Sequence, residues 1–203
     1  MARTPDVPAR ATLTPERWIA AATEVLVDQG IDHVRVDVLA GQLGVTRGSF
    51  YWHFRDREDL LRRVLQAWRE LATVQLTQRL EEASRDAHEQ VHEQAREQLR
   101  GVISLPFRGR AALRAARIEL AIRAWARRDA MARQALDEAD AARIAYIAQI
   151  FSSLGFAAAD ADCRAFLLYT YVVGESQITA AAGRREERAR FVERLLRQPV
   201  ERG

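Results

Sequence analysis

The sequence predicts an all-α protein: a three-helix head over residues 12–56 and a larger helical bundle over residues 57–203. Three observations carry that prediction. Alanine, leucine, arginine and glutamate, all strong helix formers, dominate the composition. Apolar residues recur three and four positions apart in the long segments, the period of a helix with one buried face. No alternating run of β-branched residues bounded by turn residues is present, as a strand would require.

The elements follow in order. Thr14-Pro15-Glu16 starts the first helix, with a hydroxyl at the N-cap, proline at the first helical position and an acid in the first turn. Trp18, Ile19, Ala22, Val25 and Leu26 fall on one face, and Gly30 ends the helix. Val36, Leu39, Ala40 and Leu43 make a short second helix stopped by Gly44. Thr46 is expected to cap a third, which turns Phe50 and Phe54 inward. From Arg57 the helices lengthen. One runs through Leu60, Leu61, Val64, Leu65, Trp68, Leu71 and Val74 to a polar stretch near Ser84, and another from about Ala87 breaks at Pro106 and Gly109. The rest carry Leu113, Ile118, Leu120, Ile122 and Trp125; Ile144, Ile147, Phe151 and Leu154, closed by Gly155; Phe166, Leu167, Tyr169, Tyr171 and Val173, before Gly183; and Phe191, Leu195 and Leu196.

Composition narrows the class. With 203 residues, 48% of them hydrophobic and 29% charged, the chain can build a core, which sets it apart from disordered proteins. Five prolines and ten glycines exclude collagen-like or linker architectures. No stretch approaches the roughly 20 apolar residues of a membrane span. The first ten residues lack an apolar core segment, so no secretory signal is expected. Cys163 stands alone, which excludes an intramolecular disulfide framework and fits a reducing cytoplasm. It lies beside Arg164 on an apolar helix and is expected to be a small buried packer. All 31 basic residues are arginine, so any phosphate contact must come from a guanidinium, an amide or a hydroxyl.

The sharpest local signal runs from Leu39 to Phe50. A helix-turn-helix needs a small residue within its first helix and a glycine in the turn, where the backbone adopts positive φ. Ala40 and Gly44 sit four apart in those roles, with Val45 and Phe50 filling the angle between the helices. Thr46 then offers a hydroxyl and neighbouring amides to a phosphate. The outer side of the second helix offers Arg47, Ser49, Trp52 and His53, with Tyr51 beside them, groups that reach phosphates or base edges in a major groove. Gly48 costs about 1 kcal/mol of helix propensity against alanine, and its benefit is close approach of backbone to DNA. The head is not basic overall: residues 1–60 hold seven arginines against nine acids, a net charge of −2, so positive charge must be focused on one face. Arg3 and Arg10 lie on a proline-broken arm, read as a disordered tail ahead of a minor-groove contact.

Gly44-Val45-Thr46-Arg47-Gly48-Ser49-Phe50-Tyr51-Trp52-His53-Phe54, followed by Arg57-Glu58-Asp59-Leu60, resembles the signature of the TetR family of bacterial transcriptional regulators. That signature reads G-V-[ST]-x-[GS]-x-[FLI]-Y-x-[HY]-F and then Lys-Glu-x-Leu. Ala21, Ala22 and Gly30 also stand in the family's places. The resemblance covers about Trp18 to Leu65. Beyond it the body is similar in architecture and length, and Ile118–Ala126 resembles regulatory domains in part of the family. The chain departs from the pattern at Arg57, where the family usually has a lysine that touches a phosphate, and at Arg35, where it often has serine or threonine. The resemblance implies a cytoplasmic transcriptional regulator, a ligand-released repressor rather than an enzyme, with Thr46, Tyr51 and Arg57 on phosphates.

A single recognition helix covers only a few base pairs, so two heads on an inverted repeat, with half-sites about 34 Å apart, call for a homodimer. Ile144, Ile147, Phe151 and Leu154 form one candidate interface stripe; Phe166, Tyr169 or Tyr171, Val173 and Ser176 form a second, with Gly174 allowing close helix approach. The resemblance implies that two such helices from each subunit make a four-helix interface. It also implies a small-molecule effector inside the body. Trp68, Phe107, Trp125, Tyr146 and Tyr169 are candidate lining residues for an apolar or aromatic ligand, with Arg123 or Glu119 facing the cavity or water.

Two other classes compete. His88-Glu89-Gln90-Val91-His92 matches H-E-x-x-H, two imidazoles one turn apart with a glutamate base, the pattern of a zinc hydrolase. The match arises within a slipped four-residue repeat (His88-Glu89-Gln90-Val91, His92-Glu93-Gln94-Ala95, Arg96-Glu97-Gln98-Leu99), in polar surroundings and with no third ligand following. Solvated helix surface is the simpler reading, and no metal or cofactor is expected. A helical interaction protein without DNA binding would leave an exposed Tyr51-Trp52 pair without a purpose.

Overall fold

The computed structural model describes residues 13–83, 88–104, 109–178 and 183–198. All regular structure among them is helical. The head holds α1 (Pro15–Gln29), a 3-10 turn at Ile31–His33, α2 (Val36–Leu43) and α3 (Arg47–Phe50). α4 (Arg57–Ala83), α5 (His88–Ser104), α6 (Gly109–Ala126), α7 (Ala130–Ser153), α8 (Ala158–Gln177) and α9 (Arg185–Arg197) follow. The chain divides into two compact units between Val64 and Leu65. The first turns of α4 therefore belong with the head, where Leu60, Leu61 and Val64 are buried.

The head is built on aromatic packing. Trp18, Ala22, Val25 and Leu26 of α1, Leu39 and Ala40 of α2, and Phe50 and Phe54 are all buried. Phe50 meets Trp18 edge-on at 5.4 Å and stacks on Phe54 at 5.2 Å. Gly44 makes the turn. At φ +66° it lies in the left-handed region, its N–H is donated to the Gly41 carbonyl, and the Val45 N–H reaches back to Ala40 at 3.0 Å. This is the paired bonding of a Schellman ending, which consumes two of the helix's spare carbonyls.

Two sequence expectations change here. Thr14 and Thr46 hold N-cap positions with extended backbones, but neither hydroxyl closes its cap. The Thr14 hydroxyl bonds the Glu16 carboxyl instead, and this is the main cause holding that group below its ordinary value. At α3 the Ser49 N–H that Thr46 would accept is already donated to the Thr46 carbonyl at 3.1 Å. That third helix is also short: it ends at Phe50, and residues 51–53 form a turn.

In the body, α7 packs along α8, α6 and α5, and α9 lies on α5 and α8. Its core joins Leu99, Val102 and Ile103 of α5 to Tyr146, Ile147, Ile150 and Phe151 of α7, and to Leu168 and Tyr169 of α8. Asp129 caps α7 by accepting the Ala132 N–H at 2.9 Å. Gly155, at φ +91°, turns the chain into α8. α9 is tied at both ends. Buried Arg164 donates to the carbonyls of Leu196 and Gln198, to the Asp160 carboxylate at 2.9 Å, and lies 4.0 Å over the Phe156 ring. A cation is thus placed where the helix presents its spare carbonyls. At the other end Arg188 pairs with buried Glu175. Cys163 is exposed rather than buried, because Ala161, Arg164, Ala165 and Leu168 take the inward positions of α8. Among the described residues no helix is long and apolar enough to cross a membrane.

Truncating Phe50 to alanine should destabilise the head by on the order of 3–5 kcal/mol. Urea unfolding followed by tryptophan fluorescence measures it, and a loss below about 1 kcal/mol would contradict the aromatic core described here.

Candidate functional site

The head's outer edge is formed by residues 46–53. Phe50, fully buried, fixes this segment from within, and its neighbours point away. Trp52 is 87% exposed and Tyr51 58%, the Tyr51 ring leaning edge-on against Phe50 at 5.2 Å. Thr46, Arg47 and Gly48 are exposed, and His53 is half-buried against the edge of Phe54. A Cβ on Gly48 would meet nothing closer than the Thr46 Oγ1 at 3.7 Å, so the fold itself does not require glycine there. Ser49 is half-buried, its Oγ without a hydrogen-bond partner. An indole as exposed as that of Trp52 is costly surface for a lone head and suits a partner that stacks or hydrogen-bonds.

The arginines flanking this edge differ in what they hold. Arg35 forks onto Asp37 at 2.7 and 3.2 Å on the surface. Arg57 is an exposed residue whose guanidinium reaches back onto the head, Nε donating to the Val34 carbonyl at 2.5 Å and Nη2 to the Ile31 carbonyl at 2.7 Å. The start of α4 is closed by two carboxylates. Asp56 accepts the Asp59 N–H at 2.8 Å, and Asp59 accepts the Arg55 N–H at 3.2 Å. The Arg55 bond, helped by the charges of Arg63, Arg55 and Arg62, holds the Asp59 carboxyl below its usual range despite burial.

In the body, two of the aromatic candidates meet a cluster of charges. Arg123 forks onto Asp140 at 2.7 and 3.0 Å and reaches Glu119 at 2.7 Å; Arg143 bonds both Glu119 oxygens at 2.9 and 3.0 Å. The Tyr169 hydroxyl donates to Asp140 at 2.6 Å while accepting from Arg123 at 2.9 Å and Arg143 at 3.1 Å. Arg143 also lies 5.4 Å over the Trp68 ring. Two cations and two anions balance, as a largely dry cluster requires. Burial works against the charge on both arginines, but their acidic partners outweigh it and raise their pKa. Burial first, and the bond to Asp140, push the Tyr169 phenol up to about 12.

The other expected residues distribute as follows. Tyr146 sits in the core among α5, α7 and α8, and Trp125 is buried on α6. Phe107 lies outside the described residues, as do Arg3 and Arg10. Ile147 and Phe151, expected at an interface, are spent within their own chain's core because α7 is covered by three helices. Ile144, Leu154, Val173 and Gly174 are half-buried. Phe166, with Leu167 and Cys163, faces outward on α8, and Phe191 and Leu195 face outward on α9. The side chains of His88 and Glu89 lie outside the described residues, and His92 is exposed. No group of three metal-ligating side chains comes together among the described residues. Asp140 and Arg143 were not singled out from sequence, although their spacing of three and the Glu119–Arg123 spacing of four carried the signal.

Fold and site together define a helix-turn-helix DNA-binding head followed by an all-helical body. Residues 19–64 match the family model described as bacterial regulatory proteins, tetR family. The head is 46% identical over 57 residues to the HTH-type transcriptional regulator SrpR of Pseudomonas putida, and 38% identical over 55 residues to the class A tetracycline repressor from transposon 1721 of Escherichia coli. Those stretches cover 28% and 27% of this chain, and only 27% and 26% of the relatives' own lengths. The whole chain shares its fold with a transcriptional regulator from Saccharomonospora viridis solved in complex with choline, at TM-score 0.70 and 20% identity, over 93% of this chain and 98% of that one. It shares it also with FadR of Bacillus subtilis solved with stearoyl-CoA, at TM-score 0.62 and 18% identity, over 93% of this chain and all of that one. The match to the tetR family of bacterial regulatory proteins thus lies in the head, over residues 19–64.

The buried phenol gives a testable titration. Because the fold raises the Tyr169 pKa, its contribution to stability is complete below about pH 10, the ordinary phenol value, and is lost as pH rises through about 12. Absorbance of tyrosinate should show a late step near pH 12 that the Tyr169→Phe variant lacks. A variant titrating like the parent would contradict the cluster.

Proposed function

We propose that this chain is a homodimeric, sequence-specific transcriptional repressor that a small molecule releases from an inverted-repeat operator in double-stranded DNA. The observation that carries the reading is the exposed Trp52, 87% accessible beside Tyr51, on a segment whose opposite side is anchored by Phe50. In this reading Thr46 and Tyr51 hold phosphates, Arg47, Ser49, Trp52 and His53 face base edges or sugars, and Gly48 lets the backbone approach. The outward row of Phe166 and Leu167 on α8, with Phe191 and Leu195 on α9, supplies the apolar surface for the dimer. The effector belongs in the body, where Trp68 and Tyr169 meet the balanced charges of Arg123, Arg143, Glu119 and Asp140. Structural neighbours solved with choline and with stearoyl-CoA support a body of this fold as the receiver of a small molecule.

Replacing Arg47 or Trp52 with alanine should weaken binding to a duplex selected from random DNA by about 1–3 kcal/mol, as loss of a base contact does. Fluorescence titration reads it, and parental affinity in both variants would contradict the assignment. For the dimer, Phe166→Glu should sediment as a monomer; a variant that stays dimeric moves the interface off the outward face of α8.

A further inference from the structure

The Arg57 fork is not used by the DNA-reading edge. Ile31 and Val34, whose carbonyls it binds, are buried residues of the connection between α1 and α2. Val34 stands two residues before α2, and Arg57 is the first residue of α4. Everything between them is the helix-turn-helix. Arg57 therefore joins the two ends of the DNA-reading segment across 23 and 26 residues of sequence. Its own position is set by the Asp56 and Asp59 bonds that close the start of α4. Only a planar guanidinium offers two donors at fixed separation, whereas an ammonium is a single compact charge on a flexible stem. Charge-assisted bonds of this length are also the stronger kind.

We propose that Arg57 is a positioning residue that clamps the ends of the helix-turn-helix and holds residues 46–53 in their DNA-reading orientation, not a phosphate contact. The proposal rests on the DNA-binding reading above for its effect on affinity, but the clamp itself is a property of the free protein. A segment with fixed ends loses less freedom on binding, so the clamp acts through preorganisation.

The test uses the full chain with Arg57→Ala and Arg57→Lys, at a temperature where circular dichroism shows each to be fully folded. On a duplex selected from random DNA by the parent chain, both variants should bind at least tenfold more weakly, with affinity for unrelated duplex unchanged. The slope of log affinity against log salt should stay as in the parent. A phosphate contact would instead lower that slope by about 0.9 in the alanine variant and be restored by lysine. That outcome, or parental affinity in both variants, overturns the clamp. Should the parent select no duplex, the DNA-binding reading fails by itself and amide exchange decides the clamp. The His33, Val34 and Leu39 amides, bonded within the connection and the first turn of α2, should exchange faster in both variants, and unchanged protection overturns it.

Discussion

The seat of Phe50 between Trp18 and Phe54 is the interaction on which the head's outer edge depends. Phe50 is the last residue of a four-residue helix, too short to hold itself by its own hydrogen bonds. Burial of its ring fixes the segment, and the same rotation that drives Phe50 inward turns Tyr51 and Trp52 outward. Gly44 completes the arrangement from the other side by ending α2 where the next residues must change direction. The edge is thus a consequence of packing behind it.

The body solves a different problem. Its helices draw four half-buried charges and a buried phenol together, and each group has a partner in the cluster. Removing one partner would leave a charge uncompensated in a poorly hydrated place, which costs more than the intact pair contributes. Such a cluster favours one arrangement of α6, α7 and α8 over near alternatives. Arg143 on the ring of Trp68 brings the part of α4 that belongs to the body into the same arrangement. Any group that displaced a member of the cluster would have to offer equivalent partners.

Much of this was legible in the sequence, and the parts that were not share a cause. The helical class, the Gly44 turn and the Gly155 turn, and the inward Phe50 and Phe54 followed from periodicity and from glycine's freedom at positive φ, which are local properties. Periodicity tells which face of a helix is apolar, but not how many neighbours cover it. Hence Ile147 and Phe151 looked like an interface stripe although three helices already enclose α7. Cys163 failed for the converse reason, since Ala161, Ala165 and Leu168 had taken the inward side. The Arg57 fork and the bonds that join the Arg123–Arg143–Tyr169 cluster across its helices link residues from 17 to 46 positions apart; local spacing pairs Glu119 with Arg123 and Asp140 with Arg143, but does not show that the two pairs meet. The Thr46 hydroxyl was a local expectation that a tighter backbone bond displaced.

In the proposed dimer, two copies of this head present their exposed aromatic edges to one duplex. Hydroxyl-radical footprinting of the full chain on DNA selected from a random pool tests it most directly. Two protected patches related by inverted symmetry are expected, with centres about 10 base pairs or a multiple of one helical turn apart. A single patch without symmetry, or uniform protection that shifts with salt alone, would contradict it.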